Sequence, residues 1–288
     1  MYISRYGDIM NFTKMHGAGN DYVFINATNL NYKWSSLSIQ VSNRHTGIGS
    51  DGLILLLNSK VADIKMTMFN ADGSEGKMCG NGIRCLVKFA IDEGVIPKNN
   101  NSVSVETLSG ILSVKPIFEN NIMIKAIVSM GEPILNPKDV PVSIDQTQFV
   151  SNYPMKINDS NFKLAFVSMG NPHAVSILKE PIEKVPLEII GPIAEKHNIF
   201  PERINFEIVN IISKDYVKLR VWERGSGLTM ACGTGACATV VALKLQNLVN
   251  NSVEVELPGG NLNITWPGNG PVIMEGPVKT VFEGQLFI

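Results

Sequence analysis

The 288-residue sequence lacks an excess of charge of either sign: 25 Lys and Arg stand against 26 Asp and Glu, a formal net charge of -1. Without a basic surplus there is no charge-driven attraction to a phosphate backbone or an anionic bilayer, so no nucleic-acid and no membrane partner is expected. Long hydrophobic runs are lacking too. The longest strongly apolar stretch, residues 53–57, is far too short to span a bilayer. The opening segment MYISRYGDIMNFTKMHG carries charge throughout and has no apolar signal-peptide core. A cytoplasmic location is therefore expected. Cysteine is scarce, at four residues, and in a reducing compartment these should be thiols.

What is present is an ordinary globular composition, 44% hydrophobic and 18% charged. At this length, two domains are more favourable than one. Residues 1 to 9 read as an extension ahead of the folded part, because patterned sequence begins near Asn11. Short Val-, Ile- and Phe-rich runs bounded by Gly, Asn or Pro predict strands at 22–26, 53–57, 65–70, 103–106, 122–128, 163–167, 206–212, 217–223 and 253–257. Helices are expected over about 82–93 and 235–247, each directly after a Cys-Gly-x-Gly turn.

That coincidence is part of a repeat. MCGNGIRCLVKFAIDEG at 78–94 matches ACGTGACATVVALKLQN at 231–247, with Cys79 and Cys232 153 positions apart. At the same offset Asn70 aligns with Glu223 and Gly52 with Asn205. Upstream, MHGAGND at 15–21 echoes SMGNPHA at 168–174, with Asn20 and Asn171 151 positions apart. An ordered series at nearly one offset implies duplication of a half-chain unit. The Pro/Gly/Asn-rich stretch at 131–141 suggests the boundary. The expected halves are residues 1–128 with 276–288, carrying Cys79, and residues 129–275, carrying Cys232, facing each other across a small-molecule site.

The Cys-Gly-x-Gly turn has chemical meaning. A helix start presents unpaired N–H groups and about half a positive charge, and a cysteine there can have its pKa lowered to about 3.5–7.5. Glycines beside it let a ligand approach the backbone. Such a turn offers a thiolate and an anion cradle together. Two of them around one amino-acid carbon would let one thiolate remove the α-proton while the opposite thiol returns one, with no cofactor and no metal.

The plain alternative, a buried apolar cysteine, suits Cys85 and Cys237 inside the helices. It suits the glycine-flanked Cys79 and Cys232 poorly. The spacings Cys79-x5-Cys85 and Cys232-x4-Cys237 are wrong for a zinc knuckle. Residues 47–52, GIGSDG, match a dinucleotide fingerprint literally, but the apolar run LILLL follows where a helix is required.

Taken in order, FTKMHGAGNDYVFIN, NRHTGIGSDGLILL, FNADGSEGKMCGNGIRC, SMGNPHAV, FPERIN and WERGSGLTMACGTGA resemble the diaminopimelate epimerase family over the whole chain from Asn11. The resemblance implies an α+β fold of two pseudo-twofold-related domains, each a mixed, mostly antiparallel sheet wrapped around a central helix. It further implies interconversion of LL- and meso-diaminopimelate in lysine and peptidoglycan precursor synthesis, independence of pyridoxal phosphate, and a homodimer. It makes Cys79 and Cys232 the acid/base pair. Gly80 and Asn81, then Gly233 and Thr234, would hold the reacting carboxylate. Asn70, Asn171, Asn205 and Arg224 would meet the far end of the substrate, with Asn20 and Glu223 near the reacting end.

Each anchor has a plainer reading. Asn70 suits a turn, Glu223 and Arg224 suit an exposed ion pair, and His173 suits either a structural or a supporting role. His16, His45 and His197 read as structural. Gly52 stands where some family members carry Gln, and Leu228 where Glu or Pro often stands. Two other readings remain. One is a two-base isomerase of the proline racemase or phenazine-biosynthesis type; the other is a non-catalytic redox or metal-binding protein.

Overall fold

A computed structural model describes residues 9–287; of the extension expected at 1–9, residues 1–8 lie outside the described residues and Ile9 already belongs to a strand. The chain forms two compact units, one running to Val128 and resuming at Pro277, the other spanning Ser129–Gly276.

In the first unit β1 (Ile9–Gly17) and β2 (Asn20–Asn26) form a hairpin, and helix α1 (Trp34–Ser42) leads to β3 (Gly52–Leu57). β3 runs parallel to β2 and antiparallel to β4 (Ile64–Asn70). The short β5 (Glu75–Gly76) folds back on β4 just before α2 (Gly80–Asp92). β6 (Val103–Thr107) is parallel to β4, and β7 (Gly110–Glu119) with β8 (Ile122–Ser129) finishes the sheet as a meander.

The second unit repeats this order. It runs β9 (Tyr153–Ile157), β10 (Ser160–Ser168), β11 (Pro172–Ile177), α3 (Leu187–Glu195), β12 (Asn205–Ser213), β13 (Tyr216–Glu223), β14 (Gly227–Leu228), α4 (Gly233–Leu245), β15 (Ser252–Leu257), β16 (Gly260–Thr265) and β17 (Ile273–Pro277). Parallel and antiparallel pairings recur in the same places: β10 with β11 antiparallel, β11 with β12 parallel, β13 with β15 parallel. The register recurs as well. Leu53 faces Phe69 in the first unit, and Phe206 faces Trp222 in the second, each 153 residues on. One position is filled differently. β9 pairs with β10 ahead of the second repeat, whereas the matching edge of β1 is taken by the last strand, β18 (Lys279–Phe287).

The central helices have almost no solvent face. Residues from Gly80 to Ile91 of α2 are buried, as is α4 from Gly233 to Leu243 apart from half-buried Thr234. α2 packs on β1, β2, β3 and β7, and α4 on β10, β11, β12 and β16. A helix buried all round belongs at the centre of its domain, and its apolar content reflects that. Further packing comes from α1 over Val23, Leu37, Val41, Leu53 and Leu55 in the first unit. In the second, Leu187, Ile190 and Ala194 of α3 pack with Phe166, Phe200 and Phe206. The α+β class and the sheet-around-helix arrangement agree with the sequence reading.

Several elements differ from it. Both central helices begin two residues earlier than expected, at Gly80 and Gly233. α1 and α3 were not expected because neither has a capping side chain: Lys33 and Pro186 precede them, and α3 contains Pro192. Apolar contact with the sheet outweighs the missing local signals.

Candidate active site

Each Cys-Gly-x-Gly segment folds the same way. Cys79 is the N-cap of α2 (φ -133°, ψ 119°) and its sulfur accepts from the Gly82 N–H at 3.3 Å. Cys232 is the N-cap of α4 (φ -119°, ψ 110°) and its sulfur accepts from Gly235 N–H, also at 3.3 Å. The sulfur thus takes the place of the oxygen acceptor usual at helix starts. The first bonds of each helix ladder run from Ile83 N to Cys79 O and from Ala236 N to Cys232 O. The N–H groups of Gly80 and Gly233 precede them and so have no partner in the helix ladder.

The second glycine of each motif also answers to packing. A Cβ on Gly82 would lie 2.4 Å from Ile54 Cδ1, and one on Gly235 would lie 2.9 Å from Glu207 Oε1.

Around Cys79 the first unit assembles Asn20 and Asn81. The thiol donates to Asn20 Oδ1 at 3.3 Å, and Asn81 Nδ2 donates to the same oxygen at 3.3 Å. Asn20 Nδ2 donates to Asp51 Oδ2 at 2.7 Å. Behind them the fully buried Arg84 donates to Gly80 O at 3.0 Å and to Asn81 Oδ1 at 2.8 Å. Asn70 ends β4 and caps the following turn, its Nδ2 donating to Ser74 Oγ at 2.9 Å. Its turn-forming role is thus real, with the residue left half-buried.

Around Cys232 the second unit assembles Thr234, Asn171, His173, Glu207 and Glu223. Thr234 Oγ1 lies 3.4 Å from the sulfur and accepts from Asn171 Nδ2 at 3.2 Å. Asn171 Oδ1 is 3.0 Å from His173 Nε2, and His173 Nδ1 is 2.6 Å from Glu207 Oε1. Burial holds the Glu207 carboxyl above its ordinary range, opposed by the neighbouring imidazole. The Glu223 carboxyl accepts from Thr229 Oγ1 at 2.5 Å and also bonds to Cys232. Part of that residue is accessible, yet burial of the carboxyl raises its pKa to about 7.

Cys232 itself departs from expectation. Burial pushes the thiol well above its ordinary value, and the Glu223 and Glu207 carboxylates push it further; the bonds from Thr234 and Gly235 N–H oppose them only in part. The helix start does not win against desolvation and two acids. Cys85, buried inside α2, is pushed up to about 12 by desolvation, and Cys237 is equally buried.

The two remaining anchors are coupled. Asn205 is buried, its Nδ2 donating to Pro172 O at 2.7 Å while its Oδ1 accepts from Arg224 N–H at 2.9 Å. Its described contacts hold the backbone of Arg224 rather than face outward. The Arg224 guanidinium donates to Glu202 O at 2.9 Å, and among the described residues it forms no ion pair. Glu223 and Arg224 therefore do not make the exposed pair considered from sequence. The sequence reading missed Asp51, Arg84, Glu207 and Thr229. Glu207 carried a signal, a lone acid inside the apolar run of β12.

Fold and relatives together make this chain an isomerase of the racemase and epimerase class. The diaminopimelate epimerase family model matches residues 12–135 and 165–281, and the chain belongs to that family. A diaminopimelate epimerase from Acetivibrio thermocellus is 48% identical over 96% of this chain and 98% of its own. Among solved structures, a PhzF-family phenazine biosynthesis protein from Bacillus anthracis superposes with a TM-score of 0.70 at 16% identity, covering 98% of this chain and 100% of its own. A hydroxyproline epimerase from Agrobacterium vitis gives 0.69 at 13%, covering 98% and 92%. At those identities the structural likeness concerns the fold alone.

Proposed function

We propose that this protein interconverts LL- and meso-diaminopimelate without a cofactor, Cys79 and Cys232 serving as its two acid/base groups. The observation that carries the reading is the recurrence of one device, a cysteine N-cap on a buried helix, at matched positions of both repeats. One sulfur, as thiolate, removes the α-proton, and the other cysteine's thiol supplies a proton to the opposite face. Each cycle exchanges their protonation states, so no net proton is gained or lost. Charge that develops on the carboxylate meets the N–H groups at Gly80 and Asn81 and at Gly233 and Thr234. Preorganised donors at such positions contribute about 2.7–4 kcal/mol each.

Asn20 and Glu223 serve the reacting end, with His173 in support. Asn70, Asn171 and Arg224 serve the distal amino-acid group, Arg224 as a bidentate grip on its carboxylate, and Asn205 by holding Arg224. Glu223, with its raised pKa, would take up and return the Cys232 proton at neutral pH. We further propose that the enzyme acts in the cytoplasm, as a homodimer, in lysine and peptidoglycan precursor synthesis. The test follows deuterium wash-in at the α-carbon of LL-diaminopimelate in heavy water. Product carrying solvent deuterium is expected from the wild type and from neither cysteine variant; turnover with full retention of the original hydrogen would overturn the two-base scheme.

A further inference from the structure

The matched asparagines Asn20 and Asn171 are turned in opposite senses. Asn20 gives its Nδ2 to Asp51 Oδ2 at 2.7 Å, which leaves its oxygen toward Cys79 Sγ at 3.3 Å. Asn171 gives its oxygen to His173 Nε2 and its Nδ2 to Thr234 Oγ1, the hydroxyl beside Cys232. The cause is local. A carboxylate only accepts hydrogen bonds, so Asp51 dictates which end of the Asn20 amide faces it. The second repeat has Ile204, buried and apolar, at the position matching Asp51.

Asp51 is held for this purpose from several sides. Its N–H donates to Asp21 O at 2.8 Å, its Oδ2 also accepts from Asp21 N–H at 3.1 Å, and its Oδ1 accepts from Arg44 at 2.9 Å. Arg44 in turn grips Asp21 at 2.7 Å, and the buried Lys14 of β1 pairs with Asp21 as well. His16, also on β1, sits within the field of Asp21 and Lys14. On the α2 side the charged neighbour is Arg84, fully buried. Asp51 itself is exposed, and within this ring of paired charges its Oδ2 takes the Asn20 amide.

We propose that Asp51 is a positioning residue for the reaction: it turns the Asn20 amide so that the amide oxygen meets the Cys79 thiol as its acceptor. An acceptor on the S–H favours the protonated thiol, so Asp51, acting through Asn20, keeps the proton on Cys79 in the resting state. The inference rests on Cys79 being an acid/base thiol, as proposed above.

The test is residue-resolved alkylation by iodoacetamide, read by mass spectrometry from about pH 6 to about pH 10, on the full-length wild type, Asp51→Ala, Asn20→Ala and the double variant. Releasing the amide removes one hydrogen bond's preference for the thiol, so Cys79 in Asp51→Ala should react about threefold to tenfold faster at a fixed pH below its midpoint. Asn20→Ala should show a similar rise, and the double variant no more than either single one, because both changes remove the same contact. A Cys79 profile unchanged in Asp51→Ala, or effects that multiply in the double variant as a plain charge effect would, overturns the proposal. Cys85, in the same helix, reports local unfolding; if it too becomes reactive, Asp51→Ser replaces Asp51→Ala and is read against the same two outcomes. Alkylation does not depend on turnover. Failure of the two-thiol reading would show separately, as full activity in Cys79→Ala.

Discussion

Glu207 Oε1 and His173 Nδ1 stand 2.6 Å apart, with both side chains wholly shielded from solvent. In the first repeat the aligned positions are Tyr22 and Ile54, also buried. One repeat therefore closes this part of its core with a tyrosine and an aliphatic side chain, and the other with an acid and an imidazole. Among the described residues the second Glu207 oxygen has no partner within hydrogen-bond geometry, in keeping with a carboxyl whose pKa burial raises.

Breaking this pair should cost more than replacing it. Glu207→Leu strands a buried imidazole nitrogen and is expected to lower unfolding stability by about 3–5 kcal/mol. His173→Phe combined with Glu207→Leu, which replaces both polar groups with apolar ones, should recover most of that loss. Urea midpoints of the three proteins check it; a double variant no better than the single one would show that the pair itself is not the source.

Either Cys79→Ala or Cys232→Ala should depress epimerisation by about 10²–10⁴-fold or more, the contribution of a positioned acid or base. Cys85→Ala and Cys237→Ala touch buried sulfurs inside the helices and should change stability more than rate. Coupled assays on purified variants distinguish the two classes.

Glu223 links pH to stability in a definite direction. Its folded-state value, about 7, lies above the ordinary 4.5, so the folded protein binds the proton more tightly than the unfolded chain. The resulting stabilisation is complete below about pH 4.5 and is lost as pH rises through about 7. Glu223→Gln should remove that slope between the two values, as read from denaturant titrations at a series of pH values. The same variant should let Cys232 alkylate at lower pH, since the Glu223 charge raises that thiol. A Cys232 profile identical to wild type would contradict the assignment.

Gly82→Ala introduces a better helix former by about 1 kcal/mol, yet it should destabilise the protein. The new methyl would lie 2.4 Å from Ile54 Cδ1, and overpacking of this kind costs about 1–3 kcal/mol. Shortening the neighbour with Ile54→Val should restore most of the loss. Thermal melts of both proteins would show it.

The strands at β2, β3, β4, β6, β8, β10, β12, β13 and β15 were readable from apolar runs and turn residues. The duplication was readable from landmarks at one offset. β1 and β18 were not: the two pair with each other from far apart along the chain, and Phe12 faces Gly284, whose missing Cβ admits the Phe12 ring. α1 and α3 escaped notice because no capping residue marks their starts.

For the site, residue types in one continuous segment were enough to single out Cys79 and Cys232 with their glycines as candidates, whereas Asn81 and Thr234 entered only through the family resemblance. A helix-start turn is a local structure, and its chemistry is written in neighbouring residues. The environment of each sulfur is not local. Asn20 reaches Cys79 across 59 residues of chain, and Glu207 reaches His173 across 34. Burial, which pushes the Cys232 thiol up where its helix start alone would lower it, exists only once the sheet has closed around α4. The sequence by itself determined which residues form the two cysteine-capped helix starts; folding decided which way their amide neighbours point and how tightly each proton is held, because desolvation and hydrogen-bond direction are properties of packed neighbours rather than of residue order.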